Sequence, residues 1–303
     1  MSNPLVSVIA INYNCSQFVE ETLNSILSQV YNNIELVVID DCSTDNSVAV
    51  IDQWLEKCTI PHTFIKNEQN LGICKTLNRA LKATKGKYIS IIATDDIMLP
   101  EKISIQSALL EASPGKVGAV YSDAYLINED SSLRYGLFIN DHKQGLAALP
   151  QGNLYEELIE SNFIPAMSLM YKREVFEKVG NFDEELKFED HDMLLRIARE
   201  YDFIVSDYMS VKYRIRKNSL VRTLRSWDVD FLKMWYKHAD NKKVHEKVID
   251  MLYKAYYARR DDLMELVKKF LPNIPEMKTL LLLYKLHVPA FIALRMFKIK
   301  PAS

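Results

Sequence analysis

The chain has 303 residues, 48% of them hydrophobic and 26% charged, a composition typical of a globular protein with one large core and a smaller appendage. Its 38 basic and 40 acidic residues give a net charge of -2, which excludes a general attraction to nucleic acid or acidic lipid. The four cysteines lack CxxC spacing, so they favour neither a zinc site nor a disulfide framework and indicate reduced thiols in the cytoplasm.

Short β-branched runs alternate with helical patterns in the first half of the chain, the order typical of a parallel sheet covered by helices. The N-terminal apolar run lacks the basic leader and cleavage site of a secretory signal, so we expect it to form the first strand. The apolar runs predict strands at residues 6–11, 34–39, 63–66, 88–93 and 118–121. Helices are expected between them, so the pattern predicts an α/β fold.

The second half of the chain has a weaker pattern at first. We expect irregular loops up to about residue 150, then helices at 173–179, closed by Gly180, and at 193–201. From about residue 226 the sequence changes to long helical patterns rich in Tyr, Lys and Leu. A domain boundary near residue 222 is therefore predicted, with a main domain over 1–222 and a helical C-terminal region over 223–303.

Polar clusters follow three of the predicted strands. They are Asn12-Tyr13-Asn14, Asp40-Asp41 and Asp95-Asp96. Ligands of open α/β sheets bind at this carboxyl edge, and adjacent carboxylates repel each other unless a cation or a hydrogen-bonded ligand lies between them. Magnesium or manganese needs only one or two protein carboxylates, so Asp95-Asp96 is the best metal candidate. Helix capping is the alternative explanation for either acidic pair, and packing for Tyr13.

Several motifs are missing from the sequence. Its eight glycines form neither GxGxxG nor GxxxxGK[ST], which excludes a dinucleotide fingerprint and a Walker-type phosphate loop. No GxSxG elbow is present, so the simplest hydrolase interpretation is excluded too. A diphosphate would have to be held by a metal and side chains.

Four sequence segments together resemble a known family. They read VSVIAINYN, ILSQVYNNIELVVIDDCSTDNS, NLGICKTLNRALKATKGKYISIIATDDIMLPEKI and SLMYKREVFEKVGNFDEELKFEDHDMLLRIA. In this order, over about residues 4–216, the chain resembles the family 2 inverting glycosyltransferases of the GT-A fold. The resemblance implies a Rossmann-like, mostly parallel central sheet flanked by helices, with a donor half over about 1–123 and an acceptor half over about 124–222.

The resemblance also implies roles at the donor edge. Tyr13 would pack on the nucleobase, and Asp41 would form a hydrogen bond to the base, usually uracil. Asp95 would bind the ribose or share the metal. Asp96 would hold a divalent cation, Mn²⁺ or Mg²⁺, against the diphosphate.

Asp190 aligns with the catalytic base of the family, although capping of the following helix is its alternative explanation. The chain departs from the family at two places. Ala93 stands where many relatives carry the first acidic residue of an Asp-x-Asp motif. Arg216 stands where relatives often place a histidine that contacts the diphosphate or the metal, and its guanidinium could itself neutralise the leaving group.

These roles imply an inverting transfer of a sugar from a nucleoside-diphosphate sugar, expected to be a UDP-sugar, to a hydroxyl of a glycan or lipid-linked acceptor. Bacterial surface polysaccharide or lipid-linked glycan synthesis would be the setting. Two alternatives stay open. A sugar nucleotidyltransferase would need a glycine-rich N-terminal loop with a basic residue. A nucleotide-sugar-binding partner module without catalysis would be favoured by Arg216 and by the missing acidic residue.

Basic and apolar residues mix near the C-terminus. Lys278, Lys285, Arg295, Lys298 and Lys300 flank Leu280–Leu283, Phe291, Ile292 and Phe297. The mixture would suit a helix lying on the inner face of an anionic membrane, and equally a helix packed on the catalytic domain or a homodimer contact. Charged residues and Pro289 interrupt the stretch, so a helix spanning the membrane is not expected.

Overall fold

A computed structural model describes residues 3–139, 149–217, 228–267 and 277–289. The chain divides into two units, Met1–Arg222 and Thr223–Ser303. The strands of the first unit are, in chain order, β1 (Val6–Asn12), β2 (Ile34–Asp40), β3 (His62–Lys66), β4 (Tyr88–Ala93), β5 (Ile97–Met98), β6 (Val117–Tyr121), β7 (Ala124–Ile127), β8 (Leu133–Leu137), β9 (Met170–Lys172), β10 (Asp202–Val205) and β11 (Val211–Arg214).

Seven of these strands form the main sheet, in the order β10-β6-β9-β4-β1-β2-β3. Strands β4, β1, β2 and β3 run parallel to one another, and β10 runs parallel to β6. Strand β9 lies antiparallel between β4 and β6. The predicted α/β fold with a mostly parallel sheet is confirmed. The strands were predictable because runs such as 34–39 bury apolar side chains on both faces of the sheet.

A second sheet of four strands, in the order β5-β11-β7-β8, was not predicted. Strands β7 and β8 lie where the sequence indicated irregular loops, and that expectation was wrong. The strands are two to five residues long, and most of β8 is exposed, so neither length nor alternation separates them from loops. Two strands of this second sheet, β5 and β7, directly follow β4 and β6 in the chain. They therefore begin at the edge of the main sheet where the polar clusters lie.

Helices cover the sheets of the first unit. They are α1 (Val19–Leu27), α2 (Ser47–Leu55), α3 (Ile73–Ala83), α4 (Lys102–Ala112), α5 (Tyr155–Glu160), α6 (Arg173–Val179) and α7 (Asp190–Glu200), and a short 3-10 helix spans Ala166–Ser168. Helix α6 is closed by Gly180, as predicted, and the positive φ of 83° at this position favours glycine. Helix α7 begins at Asp190 rather than at residue 193, and Glu189 occupies the N-cap position. Asp190 is thus the first residue of the helix, and its carboxylate accepts from the backbone N–H of His191 in the first turn.

The second unit is helical over its described residues. Its helices are α8 (Asp228–Tyr236), α9 (Lys242–Tyr257), α10 (Asp261–Val267) and α11 (Met277–Lys285). Side chains such as Trp235, Leu252 and Tyr256 are buried within it. Over the described ranges, no helix has the length and apolar character needed to cross a bilayer. The basic residues Arg295, Lys298 and Lys300, and the apolar residues Phe291, Ile292 and Phe297, lie outside the described residues.

Candidate functional site

The carboxyl ends of three central strands meet at one edge of the main sheet. Asn12 at the end of β1 is in register with Asp40 of β2, and Ile11 is in register with Ala93 of β4. The Asn12 amide nitrogen donates to Asp40 Oδ1 at 2.6 Å, and its oxygen accepts from Thr94 Oγ1 at 2.5 Å. Asn12 therefore links the three strand ends, a role that the sequence did not indicate.

Asp41 organises the loop that connects β3 to α3. Its carboxylate is buried and accepts four hydrogen bonds. Oδ1 accepts from Asn67 Nδ2, Leu71 N and Thr76 Oγ1, each at 2.8 Å, and Oδ2 accepts from Gly72 N at 3.0 Å. Gly72 has a φ of 80°, a backbone conformation that glycine adopts easily and other residues rarely do, and this conformation directs its N–H to Asp41. Only Oδ2 keeps clear hydrogen-bonding capacity for a ligand, so the predicted contact of Asp41 with a nucleobase would have to use that oxygen.

Tyr13 stands at the surface beside this edge, with 40% of its area exposed. The residues that follow it are fixed to the loop after β2. Asn14 N donates to Ser43 Oγ at 2.9 Å, and Asn14 Oδ1 accepts from Thr44 N at 2.8 Å. Asn14 has a φ of 52°, a conformation that asparagine tolerates better than most residues. The Tyr13 ring is thus presented on a fixed backbone, which suits the predicted stacking.

The two acidic residues after β4 have different surroundings. The Asp95 side chain is 21% exposed, and its Oδ2 pairs with Arg216 Nη1 at 2.9 Å. Asp96 is 2% exposed, and its Oδ1 accepts from the backbone N–H of Arg214 at 2.9 Å. Burial, and next the charge of Asp95, raise the pKa of Asp96 well above its ordinary value. The shift therefore favours the neutral form of the buried Asp96 carboxyl.

Arg214 is a further residue of this site that was not predicted from the sequence. Its side chain is fully buried, and its guanidinium lies 4.7 Å from the centre of the Phe18 ring. It donates to Asp95 O at 2.7 Å and to Glu21 Oε2 at 2.6 Å. It also donates to Asn128 O, Glu129 O and Ser131 Oγ at 2.9 to 3.1 Å. Arg214 fixes the acidic loop to α1 and to the turn between β7 and β8.

Arg216 also lies against Phe18, with its guanidinium 5.0 Å from the ring centre. Besides Asp95 it contacts Cys15 Sγ at 3.1 Å. Burial raises the pKa of the Cys15 thiol to about 11, with a further contribution from the charge of Asp95, so the thiol is neutral at physiological pH. The guanidinium is held at the donor edge with part of its surface accessible, where a diphosphate could reach it.

Asp96 and Asp190, which are far apart in the sequence, line one cavity of about 90 Å³. Glu189 lines it with them. The remaining lining is largely apolar and comes from Ile11, Ile73, Leu77, Ile91, Ala93, Ala166, Met167, Tyr171 and Phe182. The structure thus brings together the two carboxylates for which the sequence predicted metal binding and base catalysis. Tyr13, Asp41, Asp95 and Arg216 lie at the strand edge and do not line this cavity.

Two N–H groups hold the carboxylate of Asp190. Asn162 Nδ2 donates to Oδ2 at 2.8 Å, and His191 N donates to Oδ1 at 2.7 Å. The neighbouring Glu189 differs, because burial and then the charge of Asp190 raise its pKa to about 8. Glu189 is therefore mostly protonated at neutral pH, and the cavity does not hold two adjacent negative charges. The sequence did not single out Glu189, although its adjacency to Asp190 was the signal.

The Asp95-Asp96 pair is the candidate cation site of the described residues. Within the described ranges, no three His, Cys, Asp or Glu side chains come together as a complete metal site. Magnesium and manganese need only one or two protein carboxylates and complete their shell with water and phosphate oxygens. Burial first, and the charge of Asp95 second, oppose ionisation of Asp96 and raise its pKa, and a cation bound beside the pair would offset both effects. The residues present therefore fit a cation that is shared with a phosphate ligand.

Comparisons with known protein sequences agree with this geometry. The model of the family described as Glycosyl transferase family 2 matches residues 7–180. An uncharacterized glycosyltransferase of Rickettsia prowazekii is 27% identical over 241 residues, which cover 77% of this chain and 71% of that protein. The putative teichuronic acid biosynthesis glycosyltransferase TuaG of Bacillus subtilis is 23% identical over 242 residues, covering 80% of this chain and 90% of that protein.

Two solved structures share the fold. A fragment of S. aureus TarS in complex with UDP-GlcNAc has a TM-score of 0.64 and 18% identity, covering 93% of this chain and 87% of that chain. The mannosyltransferase PcManGT from Pyrobaculum calidifontis, in complex with GDP-Man and Mn²⁺, has a TM-score of 0.58 and 16% identity, covering 92% of this chain and 76% of that chain. At these identities the similarity shows the GT-A fold alone.

Proposed function

The chain belongs to glycosyl transferase family 2, and we propose that this glycosyltransferase inverts the anomeric centre as it moves a sugar from a UDP-sugar to an acceptor hydroxyl. One observation supports the proposal above the others. Asp190 and Asp96 line the same cavity, so a base and a group that could hold the leaving diphosphate share one small space.

The donor is proposed to bind along the edge where β1, β2 and β4 end. The exposed ring of Tyr13 would stack on the base, and Asp41 would accept a hydrogen bond from it through Oδ2. Arg216 would meet the diphosphate. UDP-GlcNAc in the TarS fragment and GDP-Man in PcManGT support a nucleoside-diphosphate sugar as the donor class. Within that class we propose uridine, on the strength of the family resemblance.

An inverting transfer is a single displacement at the anomeric carbon. We propose that Asp190 accepts the proton of the attacking hydroxyl while the bond to the diphosphate breaks. The two N–H groups on Asp190 orient its carboxylate, and the apolar lining of the cavity limits competition from water. Because Glu189 is mostly protonated, no second negative charge lies beside the base. Arg216 supplies a fixed positive charge to the departing diphosphate.

A divalent cation, Mn²⁺ or Mg²⁺, would neutralise the leaving diphosphate when bound. The sequence predicted Asp96 as its ligand, and that assignment stays a prediction. Because Asp95 is more exposed than Asp96, we propose that the ion binds to Asp95 first. Arg216 would then leave its ion pair with Asp95 and bind the diphosphate. Asp96 would complete the pair from the cavity side.

The test is a screen of nucleotide sugars with and without Mn²⁺, which measures release of nucleoside diphosphate and thermal stabilisation. A correctly placed base contributes about 10²- to 10⁴-fold, so Asp190→Asn should lower turnover by that factor and leave the affinity for UDP unchanged. Asp96→Asn should lower both the turnover and the affinity for UDP. Asp52→Asn is the matched control, because Asp52 pairs with Lys66 at the surface.

Three results would contradict the proposal. Full turnover by Asp190→Asn would show that Asp190 is not the catalytic base. Turnover that neither Asp95→Asn nor Asp96→Asn changes would show that this pair does not bind the cation. Stabilisation by nucleotide sugars without turnover of any of them would favour the alternative of a binding module without catalysis.

The acceptor is proposed to be a glycan or a lipid-linked molecule of surface polysaccharide synthesis. The support is the name of TuaG, a putative glycosyltransferase of teichuronic acid biosynthesis. A cytoplasmic location with peripheral contact at the inner membrane face, and a homodimer, stay predictions. Binding of the full chain to anionic vesicles and its mass in solution would test them.

A further inference from the structure

The cavity that Asp96 and Asp190 share is an open cleft with an apolar wall. Three isoleucines of its lining, Ile11, Ile73 and Ile91, are only partly buried, although two of them belong to the central strands β1 and β4. Aliphatic side chains in the middle of a sheet are usually covered. Small-molecule sites are typically concave and apolar, with a few polar groups. The isoleucine wall therefore indicates that an apolar part of the ligand covers it.

Tyr171 of β9 brings a polar atom to the same cleft. The residue is 3% exposed, and its ring packs edge-on against Phe176 with the ring centres 5.4 Å apart, which fixes its direction. Within the described ranges the Tyr171 hydroxyl makes no hydrogen bond, and it is not fully enclosed, so it faces the accessible space of the cleft. Buried tyrosine hydroxyls usually have a partner. Here the ligand is left to supply it.

The Tyr171 hydroxyl lies near the acidic pair at the start of α7. Burial raises its pKa, and the charges of Glu189 and Asp190 raise it further, so the hydroxyl keeps its proton and can donate. The Glu189 carboxyl, with its pKa of about 8, is mostly neutral and makes no hydrogen bond to another residue in the described part of the chain. Two neutral polar groups thus remain available beside the proposed base.

We propose that this cleft binds the 2-acetamido group of the transferred sugar and that Tyr171 is the residue that determines this specificity. The acetamido methyl lies against the isoleucine wall, and the acetamido oxygen accepts a hydrogen bond from the Tyr171 hydroxyl. The cavity of about 90 Å³ has room for about three water molecules at roughly 30 Å³ each, which suits a group of this size. The inference rests on the proposed transfer from a UDP-sugar.

The position of C2 in the sugar supports this assignment. The proposed displacement requires the anomeric carbon to lie between the attacking hydroxyl at Asp190 and the departing diphosphate at Asp96. C2 is bonded to that carbon, so its substituent is held close to the cleft that both carboxylates line. A hydroxyl at C2 would leave the isoleucine wall uncovered, whereas an acetamido group covers the wall and supplies a partner for Tyr171.

The test compares donors that differ only at C2. The dissociation constants of UDP-GlcNAc and UDP-Glc, and of UDP-GalNAc and UDP-Gal, are measured by calorimetry with Mn²⁺, with UDP as the ligand that lacks the sugar. A buried methyl group contributes about fourfold to affinity and a hydrogen bond about fivefold. In at least one pair, the wild type should therefore bind the acetamido sugar about 20-fold more tightly.

Tyr171→Phe removes only the hydroxyl oxygen and keeps the packing of the ring. It should lower the preference for the acetamido sugar about fivefold and leave the affinity for UDP within about twofold. Tyr121→Phe is the matched control, because Tyr121 is also buried on a neighbouring strand, does not line the cleft and donates its hydroxyl to Pro150 O. The control should keep the full preference, and thermal unfolding would show that both variants are folded.

The results separate this inference from the proposed function. Binding of UDP and UDP-sugars without an acetamido preference in either pair would overturn the inference and leave the proposed donor class intact. Failure of UDP and of all four UDP-sugars to bind would overturn both. A preference that Tyr171→Phe retains in full, or that Tyr121→Phe loses to the same extent, would overturn the role of Tyr171.

Discussion

Lys102, the first residue of α4, is the cation whose burial has the clearest energetic consequence. Its side chain is completely buried, and its three hydrogen-bond acceptors are neutral. Nζ donates to Gln106 Oε1 at 2.6 Å, to Ser168 O at 3.0 Å and to Leu169 O at 3.3 Å. Burial lowers its pKa to about 7. Folding therefore opposes the charged form of this side chain.

The consequence is a dependence of stability on pH. In the unfolded chain Lys102 keeps its proton up to about pH 10.5, whereas in the folded protein it gives the proton up above about pH 7. Between these values unfolding takes up a proton, so the free energy of unfolding rises with pH. The two pKa values differ by an amount equivalent to about 5 kcal/mol, and about 2 kcal/mol of this should be regained between pH 7 and pH 9.

Lys102→Met removes the titrating group and keeps a side chain of similar length. Ser168 O and Leu169 O would keep donors, from Gln106 Nε2 at 2.7 Å and from Ser90 Oγ at 3.3 Å. From pH 7 to pH 9, the difference in unfolding free energy between the two proteins should shift by about 2 kcal/mol in favour of the wild type, because only the wild type regains stability as its lysine loses the proton.

Urea unfolding of wild type and Lys102→Met, followed by circular dichroism at pH 7, 8 and 9, measures this shift. Contributions from other titrating groups cancel in the difference. Lys87→Met is the control, because Lys87 is exposed and pairs with Glu111. Parallel curves for wild type and Lys102→Met would show that the buried lysine does not release its proton on folding and would refute the reasoning.

Two other substitutions test the donor edge. Arg214→Lys keeps a positive charge but cannot reach the several acceptors of the guanidinium, so it should lower the free energy of unfolding by roughly 3 to 5 kcal/mol in chemical denaturation; a change below about 1 kcal/mol would contradict the importance of these contacts. Arg216→Gln should weaken UDP binding about tenfold and leave uridine binding unchanged in calorimetry, because only UDP carries the diphosphate. An equal loss for both ligands would show that Arg216 shapes the site rather than contacts phosphate.

The strength of local patterns decided how much of the fold could be predicted. The central strands were visible because each is a run of apolar residues that is buried on both faces. Strand β5 is only two residues long, and β8 is largely exposed, so no local pattern marked the second sheet. The short strand β9 enters between β4 and β6, a position that only the assembled sheet defines.

The same distinction applies to the candidate site. Asp96 could be proposed from its strand end and from the resemblance, and Asp190 from the resemblance alone. Arg214 could not, because its partner Glu21 lies 193 positions away in the sequence. Asn162 lies in an ordinary loop sequence, and only its contact with Asp190 distinguishes it. Residues that act through distant partners have no signature in a single sequence.

The buried guanidinium of Arg214 has a consequence for how this protein can diverge. Three of its acceptors are peptide oxygens, those of Asp95, Asn128 and Glu129. A peptide oxygen is present whatever side chain the residue bears, so the turn around positions 128 and 129 can exchange its side chains without loosening the acidic loop. Sequence change in this turn is thereby uncoupled from the framework that Arg214 holds together.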